Sequence, residues 1–434
     1  MFKNLLRKIV PESIINVYHK CHAVVACVWY GFPAKKIKVI GITGTNGKTT
    51  TAYMIAKIFD EVGNKNAMIS TIYYKIGQKM WRNNTKMTTL NPFVLQKFLS
   101  EAVKNKCQMA IVEVTSHAVV QSRIWGIEFD TLIFTNITHD HLDYHKTFAN
   151  YLKAKTKLFG DNKKARAVLN ADDKNVGAFK KASSSQIVTY SISGRGMVNA
   201  KQIKQYEDMS TFQVSWFGNE IDMVINVAGK FNISNALAAF CTALAYNISP
   251  KSIISSIRKI KTIAGRLENI DCGQKYKIII DFAHTPDGLQ KVFESIKPIT
   301  KGKLIHVGGA TGDRDITKRP ILGALSGRYT DVSIVTDEDP GSEDREDIIN
   351  QVSNGVVRGG VGKNKKILGK NFFKIIDRSE AIRFALSNAE KGDIVLITGK
   401  GHEKVMKVGD KLIPYSDQEV VKKYFNELQK SNNK

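Results

Sequence analysis

An apolar run, Ile37-Lys38-Val39-Ile40, leads directly into Gly41-Ile42-Thr43-Gly44-Thr45-Asn46-Gly47-Lys48-Thr49-Thr50-Thr51. The order is a buried strand, a glycine-rich turn and then a helix from Thr50 to Phe59. That is the layout of a phosphate-binding loop. Glycines let backbone N–H groups approach phosphate oxygens closely, and the helix N-terminus adds a positive dipole. Lys48 is placed to reach terminal phosphates and Thr49 to hold Mg²⁺. The match is partial, because the general pattern wants a glycine where Ile42 stands. Gly44, Thr45, Asn46, Gly47, Lys48, Thr49 and Thr50 are the nucleotide contacts expected here.

Strand-like and helical runs alternate along the chain, which reads as an α/β fold. Strands are expected at Met109–Val114, Thr131–Asn136, Ala167–Asn170 and Gln186–Ser191, with an antiparallel patch over Val198–Val227 and a helix over Phe231–Tyr246. The pattern restarts near Ile263. Short buried strands follow at Ile278–Asp281, Leu304–Val307, Val332–Thr336, Phe373–Ile376 and Ile394–Thr398. The expected domains are an N-terminal extension (1–36), a central phosphate-loop domain with a mostly parallel sheet (37–263), and a C-terminal Rossmann-like α/β domain (264–434). Gly355 to Lys370, rich in Gly, Lys and Asn, reads as an exposed loop.

With 434 residues and 43% apolar content, the chain can fill full cores. Five scattered cysteines without a CxxC pair argue against a zinc ribbon or a disulfide framework and suit a reducing cytoplasm. The formal charge of +25 fits nucleic acid or an anionic substrate in a basic cleft. The lysines are dispersed and no basic-aromatic block stands out, so nucleic acid is not the expected partner. Pro11 to Phe32 reads as a helix containing the apolar stretch Ala23–Tyr30. It is too short to span a bilayer. Lys3, Arg7 and Lys8 before an apolar run give it some likeness to a secretory leader, but Pro11, Glu12 and His19-Lys20 interrupt it and no small-residue cleavage site follows. The helix either docks on the core or rests on a membrane surface or a partner.

In open parallel sheets, ligands sit beyond the carboxyl ends of the strands. One such end carries Glu113 followed by Val114-Thr115-Ser116-His117, and another leads to Thr138-His139-Asp140-His141-Leu142-Asp143-Tyr144-His145. Beside a phosphate loop these point to Mg²⁺, which prefers oxygen, so Glu113 is the first ligand expected and a histidine the second.

The ordered motifs now resemble a known family. Gly-Thr-Asn-Gly-Lys-Thr-Thr, Glu113-Val-Thr-Ser-His117, Asp140-His-Leu-Asp-Tyr-His145 and Lys155-Thr-Lys-Leu-Phe159 are followed by Phe231-Asn-Ile-Ser-Asn-Ala-Leu-Ala-Ala239, Gly265-Arg-Leu-Glu268, Asp281-Phe-Ala-His-Thr-Pro286, Gly312-Asp-Arg-Asp315 and Gly399-Lys-Gly-His-Glu403. Over residues 37 to 425 this resembles the Mur ligases, most of all the MurE type. That type adds the third amino acid to UDP-N-acetylmuramoyl-L-alanyl-D-glutamate in peptidoglycan synthesis. The resemblance implies an ATP-dependent amide ligase working through an acyl phosphate. It implies catalytic roles for Lys48, Lys155, Glu113 and His141. Thr49, Glu113, His141 and a carbamylated Lys155 would hold Mg²⁺. Asn235, Arg266 and Asp281 match nucleotide contacts. Thr88, Thr89, Thr115, Ser116 and Arg123 match contacts to the muramoyl-dipeptide, and Arg314, Glu338, Asp339, Gly399 and Glu403 contacts to the incoming amino acid.

Two departures stand out. The family's uridine-diphosphate domain does not fit in the residues before the phosphate loop, which leaves open whether the substrate carries UDP, and leaves peripheral membrane contact through residues 1–36 open as well. Enzymes of this type that select meso-diaminopimelate usually carry Asp-Asn-Pro-Arg where this chain has Glu338-Asp339-Pro340-Gly341. Loss of the arginine and gain of Asp339 favour an ammonium-ended side chain such as lysine or ornithine. Diaminopimelate is retained if a neighbour such as Arg345 compensates. The competing readings are another ligase of the superfamily, similar to folylpolyglutamate synthase, and a basic phosphate-loop protein that binds nucleic acid.

Overall fold

The computed structural model describes residues 11–85, 87–183 and 186–432. The central sheet is built from β1 (Lys38–Thr43), β2 (Asn66–Ile69), β3 (Tyr73–Ile76), β4 (Lys79–Arg82), β5 (Met109–Glu113), β6 (Thr131–Phe134), β7 (Arg166–Asn170), β8 (Ile187–Ser191), β9 (Val198–Gln205), β10 (Ser210–Trp216) and β11 (Asn219–Ile225). Its order is β11-β10-β9-β8-β7-β6-β1-β5-β2-β3-β4. The middle of the sheet is parallel and both margins are antiparallel hairpins. β1 therefore lies between β5 and β6, with Ile42 opposite both Glu113 and Ile133. This register brings the phosphate loop, Glu113 and the segment after Phe134 to one edge of the sheet. β1 and β5 are buried almost throughout, as expected for strands covered on both faces.

The second sheet contains β12 (Glu268–Asn269), β13 (Lys277–Asp281), β14 (Leu304–Gly308), β15 (Val332–Val335), β16 (Phe372–Lys374) and β17 (Ile394–Thr398) in the order β12-β13-β17-β14-β15-β16. All pairs are parallel except β12–β13. A small hairpin, β18 (Val405–Val408) and β19 (Lys411–Pro414), stands beside it. The restart of a sheet at Glu268 supports the division at 263/264 that we propose.

The segment Gly355–Lys370 corrects the sequence reading. A helix continues through Arg345–Gly359, and Gly355 is buried. A Cβ on Gly355 would lie 2.1 Å from Pro320 O, and one on Gly359 2.0 Å from Ala324 O. Across the same crossing, Gly323 and Gly327 of the helix Lys318–Tyr329 face Val352 O and Val356 O at 1.9 and 2.1 Å. These glycines are helix-packing residues: without side chains they let two backbones meet, which outweighs their poor helix propensity. The exposed connection begins only after this helix.

The N-terminal helix spans Glu12–Trp29, shorter than the Pro11–Phe32 expected. Gly31 and Phe32 take positive φ (64° and 50°), which ends it. The N-terminal helix packs beside the helix Pro92–Lys104, and Ala23, Ala26 and Cys27 on its inner face are fully buried. The Cys27 thiol reaches Trp125 O at 3.2 Å. Lys3, Arg7 and Lys8 lie outside the described residues.

A buried ion pair ties the C-terminal helix Asp417–Asn432 to the second sheet. The Arg378 guanidinium donates from Nε and Nη2 to the two Asp417 oxygens at 2.8 and 2.9 Å, and to Asp337 O and Thr398 O at 3.0 and 2.8 Å. Asp417→Asn leaves the guanidinium uncompensated and is expected to cost ~3–5 kcal/mol. Urea unfolding checks this: the midpoint of the C-terminal domain should fall well below that of the wild type.

Candidate active site

The phosphate loop is shaped by contacts that only glycine permits. Gly44 has φ 153°, and a Cβ there would meet Thr135 Oγ1 at 1.9 Å. Gly47 has φ 87° and faces Asn235 Oδ1, 2.3 Å from where a Cβ would sit. The helix Lys48–Glu61 starts directly behind. Lys48 Nζ folds back on the loop and donates to Gly44 O and Thr45 O at 2.9 and 2.8 Å. Burial pushes its pKa below the usual lysine range, while Glu113 and Asp140 oppose this.

Lys155, on the helix Phe148–Gly160, is 1% exposed and reaches the same carbonyl, Gly44 O, at 3.0 Å. Its Nζ also lies 4.9 Å from the Tyr151 ring centroid. Burial, and then the charge of Lys48, holds its pKa well below the ordinary lysine value. Burial of that kind disfavours the ammonium form relative to the amine.

Glu113 is fully buried at the end of β5. Both of its oxygens accept from Thr71, from N at 3.0 Å and from Oγ1 at 2.9 Å. Thr71 Oγ1 meets Thr88 Oγ1 at 3.0 Å, and Thr89 Oγ1 donates to Glu113 O at 2.8 Å while accepting from Thr115 N at 3.0 Å. Thr71 thus holds the carboxylate and Thr89 the backbone carbonyl of the same residue, with Thr88 and Thr115 bonded to these two. Thr71 was not picked out from sequence, because the hairpin margin of β2–β4 was not. Arg123 donates to Thr89 O at 2.9 Å, and Ser116 Oγ meets His145 Nε2 at 2.9 Å.

His141 takes φ 55° at the start of the short helix Leu142–His145, with its Nε2 3.2 Å from an Asp140 oxygen. Its ring stands edge-on to His117 at 4.8 Å. Burial lowers all three histidines here, His117 to about 3 and His145 to about 4, so the cluster is neutral near pH 7.

The C-terminal domain supplies the facing wall. Arg314, Glu338, Gly399 and Glu403 line a cavity of about 340 Å³ together with Lys48, Thr49, Thr88, Thr115 and His141. Glu338 is 4% exposed, and burial pushes its carboxyl up to about 7. Gly399 makes room for it, since a Cβ would lie 2.4 Å from Glu338 Oε2. The buried Lys400 ammonium reaches Glu403 Oε2 at 2.5 Å, Asp339 Oδ1 at 2.7 Å and Val405 O at 2.7 Å. Asp339 also accepts from Lys407 N at 2.8 Å. Its carboxylate is turned into the domain and does not line the cavity, which corrects the expectation that it charges the cleft. Arg345 is engaged with Asp337.

A second cavity of about 680 Å³ lies on the other side of the loop. Asn46, Gly47, Thr50, Asn235, Arg266 and Asp281 line it, along with Lys230, Phe231 and Ser234. Arg266 stacks on Phe282 at 4.9 Å and its Nε has no hydrogen-bond partner. Asp281 accepts from Leu267 N and Ala283 N, each at 2.7 Å. The loop is thus a septum between two compartments. Gly44, Glu113, Lys155, Thr89, Ser116 and Arg123 stand behind the lining. Arg82 escaped sequence reading; its Nη1 reaches across to the backbone O of His402, within the Gly399–Glu403 motif, at 3.2 Å, and Asn46 Nδ2 reaches Asp287 Oδ2 at 2.9 Å.

Comparison with known proteins places this geometry. Residues 42–243 match the Mur ligase middle domain and residues 265–401 the Mur ligase glutamate ligase domain. The chain is similar to the UDP-N-acetylmuramoyl-L-alanyl-D-glutamate–2,6-diaminopimelate ligase of Bacillus velezensis, 37% identical over 97% of this chain and 85% of the relative. It is 34% identical to a UDP-N-acetylmuramyl-tripeptide synthetase of Roseiflexus sp., over 94% of this chain and 82% of that one. A solved structure of a UDP-N-acetylmuramoyl-L-alanyl-D-glutamate–2,6-diaminopimelate ligase superposes with a TM-score of 0.62 at 28% identity, covering 91% and 79% of the two chains. Folylpolyglutamate synthase of Mycobacterium tuberculosis shares the fold, with a TM-score of 0.71 at 16% identity over 92% and 94%.

Gly47→Ala forces a left-handed residue to carry a Cβ and pushes it onto Asn235, at a cost of ~1–2 kcal/mol. Calorimetric titration with ADP should therefore show affinity about tenfold weaker or worse. Unchanged affinity would exclude this loop as the nucleotide cradle.

Proposed function

We propose the reaction from one premise: the chain belongs to the Mur ligase family. Within it the chain is an ATP-dependent ligase that joins a carboxylic acid to an amino acid. The proposed acid is the D-Glu carboxylate of a muramoyl-L-Ala-D-Glu precursor, the proposed amine is a diamino acid, and the setting is peptidoglycan synthesis. The observation that carries this reading is one cleft lined by both domains: Lys48 and Thr49 of the phosphate loop, with Thr88, Thr115 and His141, share it with Arg314, Glu338 and Glu403 of the facing domain.

The chemistry follows from the needs of a poor electrophile. A carboxylate oxygen attacks the terminal phosphorus of ATP, ADP leaves, and an acyl phosphate forms. The amine then attacks the acyl carbon, inorganic phosphate leaves with the bonding pair, and the amine proton is released. Lys48 would hold the transferring phosphoryl oxygens. Asn235, Arg266 and Asp281 would hold the nucleoside side. Thr88, Thr115 and Arg123 would position the dipeptide, directly or through the threonine set around Glu113. Arg314 suits an α-carboxylate and Glu403 an α-ammonium.

Members of this family are ATP-dependent and normally use Mg²⁺. Among the described residues no three His, Cys, Asp or Glu side chains gather into a cage. This suits Mg²⁺, which is held by one or two protein oxygens with phosphates and water. Thr49 and Glu113 would be its oxygen donors and His141 an accessory one. When bound, it would neutralise charge on the phosphates. Lys155 is proposed to become a carbamate. Its amine form would add to CO₂ and lose a proton to water, which places an anion beside Lys48.

No described helix is long and apolar enough to cross a membrane. Loss of the arginine at 341 and the engagement of Arg345 by Asp337 favour an ammonium-ended amino acid, whereas the relatives' names specify 2,6-diaminopimelate.

A mass-resolved ligation assay tests the reading, with Mg²⁺-ATP, bicarbonate, UDP-muramoyl-L-Ala-D-Glu and lysine, ornithine or meso-diaminopimelate in separate reactions. A tripeptide product in one of them is expected, and it names the amino acid. Absence of product with ADP binding intact would overturn the proposed substrate. In the same assay Lys155→Arg should fall to background. A carbamate resonance from ¹³C-bicarbonate, present in the wild type and absent in that variant, would identify the modification.

A further inference from the structure

The N-terminal helix Glu12–Trp29 turns its small side chains inward and its large ones outward. Ala23, Ala26 and Cys27 are fully buried against the body of the protein, and the His22 ring lies 5.0 Å from Phe93 on the helix Pro92–Lys104. Ile14, Val17, Tyr18, Val25, Val28 and Trp29 are between 53% and 75% exposed. At about 100° per residue these six fall within an arc of about 120°, and the exposed Cys21 falls in the same arc. No lysine, arginine or acid occupies a position in that arc. At about 1.5 Å per residue the stripe is about 22 Å long. Val94, 43% exposed on the neighbouring helix, adds to the exposed apolar surface of the pair.

A contiguous apolar stripe of this kind on a folded protein marks an interaction surface. We propose that this helix lies in the plane of an anionic lipid bilayer surface, with the stripe at the level of the headgroup–acyl boundary. Three observations select this occupant. Residues 1–36 carry Lys3, Arg7, Lys8, Lys20, Lys35 and Lys36 against Glu12 alone, a basic setting complementary to anionic headgroups. Tyr18 and Trp29 join an apolar body to a polar tip, the chemistry that favours the interface. The whole chain carries +25, so a second copy approaching the same face would be repelled. The helix lies on the surface and does not enter, because it is too short and too polar to cross.

The test uses the full chain. Co-sedimentation with vesicles of phosphatidylcholine plus phosphatidylglycerol is compared with vesicles of phosphatidylcholine alone, at low and high salt. Partition into the anionic vesicles is expected, weakened by salt and reduced about tenfold or more by Val25→Asp with Val28→Asp. Trp29→Ser is the milder second variant, and ADP titration confirms that each variant is folded. The proposal is overturned if the wild type stays in the supernatant with both vesicle types, or if folded variants partition as the wild type does. A lipid-free dimer in sedimentation velocity that the aspartate pair dissolves would equally overturn it, by assigning the stripe to self-association.

Discussion

Two lysine amines share one carbonyl oxygen. Lys48 Nζ and Lys155 Nζ both donate to Gly44 O, at 2.9 and 3.0 Å, inside a loop whose glycines leave no room for a shielding side chain. The carbonyl has lone pairs for both donors, but it carries no charge to balance two ammonium ions. Burial depresses both pKa values, and the charge of Lys48 adds to this at Lys155. Relief comes from an anion at the helix N-terminus or from conversion of one amine into an anion. The loop is thus poised electrically for an anion. β1, lying between β5 and β6, sets this geometry: Ile42 stands level with Glu113 and Ile133, which brings the phosphate loop, Glu113 and the segment after Phe134 to one edge of the sheet.

The facing domain solves the opposite problem, holding acids together. Asp339 and Glu403 both turn to the buried Lys400, and burial, with the nearby Asp339 adding to it, discourages Glu338 from ionising. A cation beneath the wall thus fixes Glu403 in position while leaving it at the cavity surface. The cleft joins the phosphate-loop lysine to Arg314 and Glu403 of the facing wall, groups whose chemistry suits phosphate, carboxylate and amine in turn.

Most of this was legible where backbone and chemistry share one signal. The glycines at 44 and 47, the carboxylate ending the Met109–Glu113 strand and the motif at Gly399–Glu403 all stand at strand ends, and the structure brings Lys48, Thr49, His141, Arg314 and Glu403 to one cavity. The rest depended on partners that sequence does not display. Thr71 matters because it holds Glu113, yet a threonine before a short hairpin carries no pattern. Asp339 reads as a free charge until Lys400 is seen beneath it. Gly355 reads as a loop residue because close helix packing and loop flexibility use the same amino acid for opposite reasons.

The large positive charge then divides by location. Among the lysines that are buried, Lys155, Lys318 and Lys400 stand at or just behind the cleft, whereas Lys75 and Lys366 pin turns through backbone carbonyls. The remaining basic residues are largely spread over the surface, where salt screens each within about 10 Å. The cleft therefore selects its anions through a few desolvated cations, and the surface charge acts through long-range attraction. Dispersed charge of that kind needs an apolar contact to become a docking site, and the exposed stripe of the N-terminal helix offers one.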